Sequence, residues 1–166
     1  MRVHEIMTSA PTTVTPEDTL YTAARAMWSH GVGVLPVVDG EGRVTGMITD
    51  RDICMSAMIQ EERLEKIEVA TAMSPIVHAV RADDTVRSAE ILMKRHQVRR
   101  LPVLNQGGTL LGIVSIDDLA VAAVVRAPEH LPGLSADDIA TTLAAVAAPR
   151  ALETQGRTVL DATRES

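Results

Sequence analysis

The chain has 166 residues, a formal net charge of -6 and a composition that is 46% hydrophobic and 23% charged, which is globular and not disordered. With no Phe, one Trp (Trp28) and one Tyr (Tyr21), it lacks both the stacking platforms and the general attraction that nucleic-acid binding draws on, so nucleic acid is not an expected partner. The single cysteine, Cys54, excludes an internal disulfide framework and a multi-cysteine metal site, and suits a reduced, cytoplasmic protein. No membrane span or signal peptide is expected: the N-terminal residues lack a continuous apolar run, and the uncharged stretch 101–116 is short and broken by Pro102, Gly107, Gly108 and Gly112.

A repeat organises the chain. Shifting the sequence by 66 positions aligns Met7–Ile53 with Met73–Leu119 without a gap, and 14 of the 47 pairs are identical. In each unit a short strand (Thr12–Val14 in the first) leads to a helix. Thr15, Pro16 and Asp18 supply its N-cap, first-turn proline and capping acid. Leu20, Ala23, Ala24 and Met27 then recur at the spacing of one buried helix face, and Gly31 supplies the stop. Two apolar runs come next, Val34–Val38 and Val44–Ile48, joined through Asp39-Gly40-Glu41-Gly42 as a hairpin. Proline inside the first run predicts an edge strand. Thr49-Asp50-Arg51-Asp52 opens a second helix to about Ile59, which the charged stretch 60–68 extends before linking the halves.

The second unit repeats the order, with Ser115-Ile116-Asp117-Asp118 at its final helix. Beyond residue 126 a Pro- and Gly-containing break, 127–134, precedes an alanine-rich helix, 139–148, capped from Ser135. A polar tail ends the chain, in which Val159 and Leu160 are the residues able to dock. The predicted fold class is α+β: repeat one over 1–66, repeat two over 67–126, and a helix and tail over 127–166. A unit this small buries too little apolar area to stand comfortably alone, so the two are expected to pack sheet to sheet around a cleft on a pseudo-twofold axis.

The stretches LPVVDGEGRVTGMITDRDI and RRLPVLNQGGTLLGIVSIDDL resemble the CBS domain, and two in tandem resemble a CBS pair, or Bateman module. Those of small stand-alone bacterial and archaeal CBS-pair proteins look similar, and the resemblance covers about residues 1–125. It implies a binding module and not an enzyme. In that family the cleft holds adenosine-containing ligands such as AMP, ADP, ATP or S-adenosylmethionine. Carried over by position, Asp52 and Asp118 would meet ribose hydroxyls, with Thr49 and Ser115 near phosphate. Arg99 would also reach phosphate, where the first repeat has Gly33 instead. The family also implies a homodimer, a flat disc formed through helices, and readout by a separate effector protein.

The local chemistry is compatible with that assignment. Helix N-termini offer free N–H groups to anions, and a carboxylate one turn in can accept from a ribose diol. Arg51 is placed to compensate for the missing arginine of repeat one, while Val14 or Val80 and Leu35 or Leu101 are candidates to flank adenine. The two sites are expected to be unequal. The competing reading is that both turns are ordinary capping boxes, because Ser/Thr-x-x-Asp also begins at Thr15, Ser135 and Thr158. The chain would then be a ligand-free dimerisation module. His30 and His96, near helix ends, suit capping, and no metal-ligand spacing is present. Lys94, Arg95, Arg99 and Arg100 read as a mostly solvated face. Cys54 reads as a small buried hydrophobe, and Met47, Met55, Met58, Met73 and Met93 as filling the core or a dimer face.

Overall fold

The computed structural model describes residues 1–125 and 134–148. Its elements run β1 (Thr8–Ser9), α1 (Leu20–His30), β2 (Val34–Val38), β3 (Val44–Thr49), α2 (Asp50–Gln60), α3 (Val69–Ala72), β4 (Val80–Arg81), α4 (Val86–His96), β5 (Arg100–Leu104), β6 (Leu110–Ser115), α5 (Ile116–Val125) and α6 (Ala136–Ala147). The hairpins are antiparallel, pairing Val34 with Thr49 and, at the equivalent place, Arg100 with Ser115. Their turns use Gly42 and Gly108, at φ 75° and 84°, a conformation only glycine adopts without strain.

The repeats exchange their leading arms. Strand β1 pairs with β6 of the second repeat, and Ser74 bridges to Met47 on β3 of the first. Upstream, Val3 N–H donates to Asp84 and Val86 N–H to Met1, while Leu20 N–H donates to Ile67 and Val69 N–H to Asp18. Val3 therefore closes the core of Val86, Met93 and Leu101, and Ile67 and Val69 close that of Leu20, Leu35 and Ile48. The hairpin tips also meet, with Leu110 N–H donating to Gly42.

Several local expectations change. Helix α1 begins four residues later than the Thr15 cap implied. Thr19 is its N-cap, whereas the Asp18 carboxylate accepts from Thr15 N–H at 2.7 Å to close a turn. Tertiary pairing selects Thr19, since it bridges to Glu68 on the exchanged arm. Of Thr12–Val14 only Val14 pairs, with Val37. Proline does not mark an edge in repeat two, where β5 lies between β6 and β4. It is accommodated because β4 pairs only with Val103 and Leu104. Helix α2 stops at Gln60, with Glu61 in the left-handed conformation, so 60–68 does not extend it. The break at 127–133 and the tail, with Val159 and Leu160, lie outside the described residues.

Helix α6 packs on α4 and α5 of the second repeat, adding Leu134 and Ile139 to its core. Thr142 donates to the buried carboxylate of Glu90, and Arg87 lies 3.3 Å from Glu90 and 2.8 Å from Asp138. Gln97 donates to the Ala145 carbonyl at 3.0 Å, near the helix's last turn. A buried carboxylate with these partners holds orientation better than it adds stability.

This packing can be tested at the arm and at α6. A Cβ on Gly112 would lie 2.7 Å from Met7 Sδ and 2.8 Å from the Thr8 carbonyl. Gly112→Ala should therefore force the arm outward and cost about 1–3 kcal/mol in urea unfolding; an unchanged midpoint would show that the arm is not tightly seated. For α6, hydrogen bonding from Arg87 and then from Ser135 holds the Asp138 carboxyl at about 2, below its ordinary 3.8. A lowered folded value means stabilisation that is present above the unfolded pKa and is lost as pH falls through the folded one. Asp138→Asn should accordingly lower Tm at pH 6, with the difference from wild type shrinking toward pH 2 and vanishing below it; a constant difference would exclude the ionised pair as its cause.

Candidate functional site

Each repeat ends its hairpin by feeding β3 or β6 directly into a helix, so Thr49 and Ser115 sit at the strand-to-helix corner. Both corners close in the same way. Thr49 N–H and Oγ1 donate to Asp52 Oδ2 at 2.9 and 2.7 Å, and Asp52 N–H donates back to Thr49 Oγ1 at 3.1 Å. Ser115 N–H and Oγ donate to Asp118 Oδ2 at 2.8 and 2.6 Å, and Asp118 N–H returns to Ser115 Oγ at 3.2 Å. All four residues are half-buried. The hydroxyl protons are thus committed to carboxylates, and an incoming phosphate would have to compete for them. The other oxygen of each aspartate, Oδ1, accepts no hydrogen bond shown among the described residues.

The same box closes the start of α6 between Ser135 and Asp138. Its chemistry is therefore capping chemistry, and what distinguishes the two hairpin corners is their setting. Arg100 lies directly across the ladder from Ser115, where Val34 faces Thr49. The residue before each, Arg99 or Gly33, gives its carbonyl to the first N–H of the helix, at 2.9 Å from Ile116 and 3.2 Å from Asp50. A Cβ on Gly33 would lie 3.1 Å from Asp50 Oδ2, among residues lining a groove between α1 and α2. Arg100 opens β5 and by strand alternation takes the face opposite to core residue Leu101, whereas Arg99 precedes the strand and is exposed. The sequence points to Arg99 for the phosphate and reads Arg100 as part of a mostly solvated face; its pairing opposite Ser115 is what brings Arg100 to the corner.

The remaining candidates separate. Arg51 is exposed on the first turn of α2. Val14 and Val80 are 3% and 5% exposed, and Leu35 and Leu101 are 1% and 0% exposed, all within the two cores. As placed, their side chains offer a ligand almost no surface. His30 Nδ1 donates to the Ala26 carbonyl, 2.9 Å away, near the end of its helix. His96 instead stacks on His78 with ring centroids 3.7 Å apart, and burial followed by the neighbouring imidazole holds the pKa of His78 below its ordinary value. Cys54 is exposed, contrary to the buried reading. Met93 is buried and Met73 packs on the first core, whereas Met55 and Met58 stand 40% and 61% exposed.

Duplicated strand-helix corners on two arm-exchanged sheets define a tandem-repeat α+β module. The chain belongs to the CBS-domain family: the model for that domain matches residues 3–58 and 67–124. It is 40% identical over 119 residues to the CBS domain-containing protein YhcV of Bacillus subtilis, covering 72% of this chain and 83% of that one. Among solved structures it resembles the CBS domain pair of protein MJ0100 in complex with 5'-methylthioadenosine and S-adenosyl-L-methionine, with TM-score 0.68, 25% identity, and 76% and 98% of the two chains covered. It also resembles CBSX2 in complex with AMP, with TM-score 0.66, 25% identity, and 75% and 97% covered. Among the described residues no helix is long and apolar enough to cross a membrane, and no three His, Cys, Asp or Glu side chains gather into a metal-binding group.

Because both corners are self-capped, Asp118→Ala should cost about 1 kcal/mol of stability with no ligand present, the ordinary value of a lost cap interaction. Chemical denaturation would read this, and an unaltered midpoint would mean that the box contributes nothing to the helix start.

Proposed function

We propose that the chain is a regulatory module, not an enzyme, that binds an adenosine-containing ligand at these corners and passes its state to a separate effector protein, with the protein pairing as a homodimer in the cytoplasm. The observation that carries the reading is the recurrence of one half-buried hydroxyl-carboxylate pair at the same corner of both repeats, with Arg100 facing the second. Asp52 and Asp118 would accept from ribose hydroxyls through Oδ1. Thr49, Ser115 and the first N–H groups of α2 and α5 would face a phosphate. Arg100, with Arg99 adding charge nearby, would make the second corner the one that prefers AMP, ADP or ATP. The first corner has only Arg51 and would favour ligands with less negative charge. No cofactor is required for such a role.

Support comes from the similar structures, one in complex with AMP and one with two adenosine derivatives. A ligand that bridges the repeats shifts their arrangement only if it binds one arrangement more tightly than the other. The reading of both turns as caps alone has its own support, since each box is complete without a ligand. In that case the chain is a ligand-free dimerisation module.

Thermal titration with AMP, ATP, S-adenosylmethionine and NAD separates the two. At one hundred times Kd a bound ligand adds about 2.7 kcal/mol, a rise of roughly 5–10 °C for a chain of this size. Arg100→Ala should weaken AMP and ATP while leaving S-adenosylmethionine nearly unchanged. No shift with any of them would favour the ligand-free module, and conversion of the nucleotide on long incubation would contradict a binding role.

A further inference from the structure

We propose that His78 and His96 form a proton-operated clasp on the connection between the repeats: stacked while both rings are neutral, they fasten the connector 75–79 to the end of α4, and acid releases it. The inference goes beyond the ligand reading and does not depend on whether a nucleotide binds.

The connector is where one repeat hands over to the other. At its start Ser74 exchanges two backbone hydrogen bonds with Met47, on β3 of the first repeat, at 2.9 and 3.0 Å. At its end it becomes β4, which pairs with Val103 and Leu104 of the second. Between these anchors no backbone-to-backbone hydrogen bond joins residues 75–79 to the other described residues. Pro75 has no N–H to give, Ile76 stands 70% exposed, and Ser74 Oγ reaches the Ile76 carbonyl only at 3.5 Å. What ties the connector to α4 is a side chain. The half-buried ring of His78 lies against that of half-buried His96, the last residue of α4, with centroids 3.7 Å apart and planes 18° from parallel. Because β3 runs on into the Thr49 corner, the clasp sits on the path that links that corner to the second repeat.

Repeat one provides an internal comparison. At the corresponding positions 66 residues earlier stand Thr12 and His30. There His30 turns back onto its own helix and donates from Nδ1 to the Ala26 carbonyl. The stack therefore follows from the ring at position 78 and not from a histidine at a helix end.

The surroundings favour a neutral pair. The last turn of α4 places Lys94 and Arg95 next to His96, and Arg99 and Arg100 follow at the entry to β5. The connector apart from His78, and the strand β3 that meets its start, carry no charge. Helix α6 meets the end of α4 through the Ala145 carbonyl on Gln97, while its acids Asp137 and Asp138 lie in its first turn. The other carboxylates nearby are engaged: Asp138 and Glu90 by Arg87, Asp118 by Ser115 and Asp84 by the Arg81 N–H. Of the described histidines, His4 has an acid beside it, Asp83 at 3.7 Å, and neither His78 nor His96 does. Two protonated rings in contact, with cations on both sides of His96 in the chain and no carboxylate paired to either, repel each other. Burial and then the neighbouring imidazole hold the His78 pKa below its ordinary 6.5. With the folded value lowered, the contribution of the clasp is complete above 6.5 and is lost as pH falls through the folded value.

Backbone 15N relaxation of the full chain without nucleotide at pH 7.5 and 5.5, for wild type, His78→Phe and His78→Thr, tests this. Phe keeps a ring that cannot be protonated and on which a charged His96 can still rest; Thr is the residue of repeat one. Wild-type order parameters at 76–79 should fall from about 0.85, the value of rigid backbone, at pH 7.5 toward about 0.6 at pH 5.5. They should stay high at both pH values in His78→Phe and low at both in His78→Thr. Wild-type values that do not change with pH, an equal fall in His78→Phe, or high order in His78→Thr at pH 7.5 each overturn the proposal. Should a variant not fold, the wild-type ring titration decides: the loss of order must share the midpoint of the His78 ring signals, and a different midpoint overturns the clasp.

Discussion

Neither repeat encloses its own core. Val3, fully buried, completes the second core, and Val69, fully buried, completes the first. The exchange is possible because Gly46 and Gly112 present bare backbone to Met73 and Met7, with Sδ atoms 2.6 and 2.7 Å from where a Cβ would be. Arm and strand are therefore in direct backbone pairing, and the two halves are bound to fold as one cooperative unit. The strands carrying those glycines are the ones that run on into the Thr49 and Ser115 corners. Whatever sets the relative position of the repeats sets the relative position of both candidate sites.

Duplication followed by divergence has produced two different halves on one plan. The corner of repeat two carries Arg99 and Arg100 where repeat one has Gly33 and Val34. Its helical face carries Arg87 and Glu90, which hold helix α6 against it. Repeat one keeps a weakly charged corner and an open apolar groove.

Much of this was legible in the residues. The 66-residue offset and its 14 identities disclosed the duplication, and the apolar runs located the strands because their periodicity is local. The boxes at Thr49 and Ser115 were readable because a cap needs only residues three apart. What escaped was tertiary. Thr15-Pro-Glu-Asp is as good a helix start as any, yet pairing of Leu20 with Ile67 moves the start to Thr19. No local signal says that Met7 belongs with Gly112. Leu35 and Leu101 fit an adenine wall in sequence, but helices α1 and α4 bury them. Cys54 and Met58 carry no mark of exposure, because the α1–α2 groove depends on where helices pack and not on what they contain.

The central claim is that the duplicated strand-helix corners hold the ligand. Amide chemical shifts of the 15N-labelled protein titrated with AMP test it residue by residue. Saturable changes centred on Arg99–Arg100 and Ser115–Asp118 are expected, with smaller ones at Thr49–Asp52. Saturable changes confined to the α1–α2 groove, or none at any AMP concentration, would contradict it.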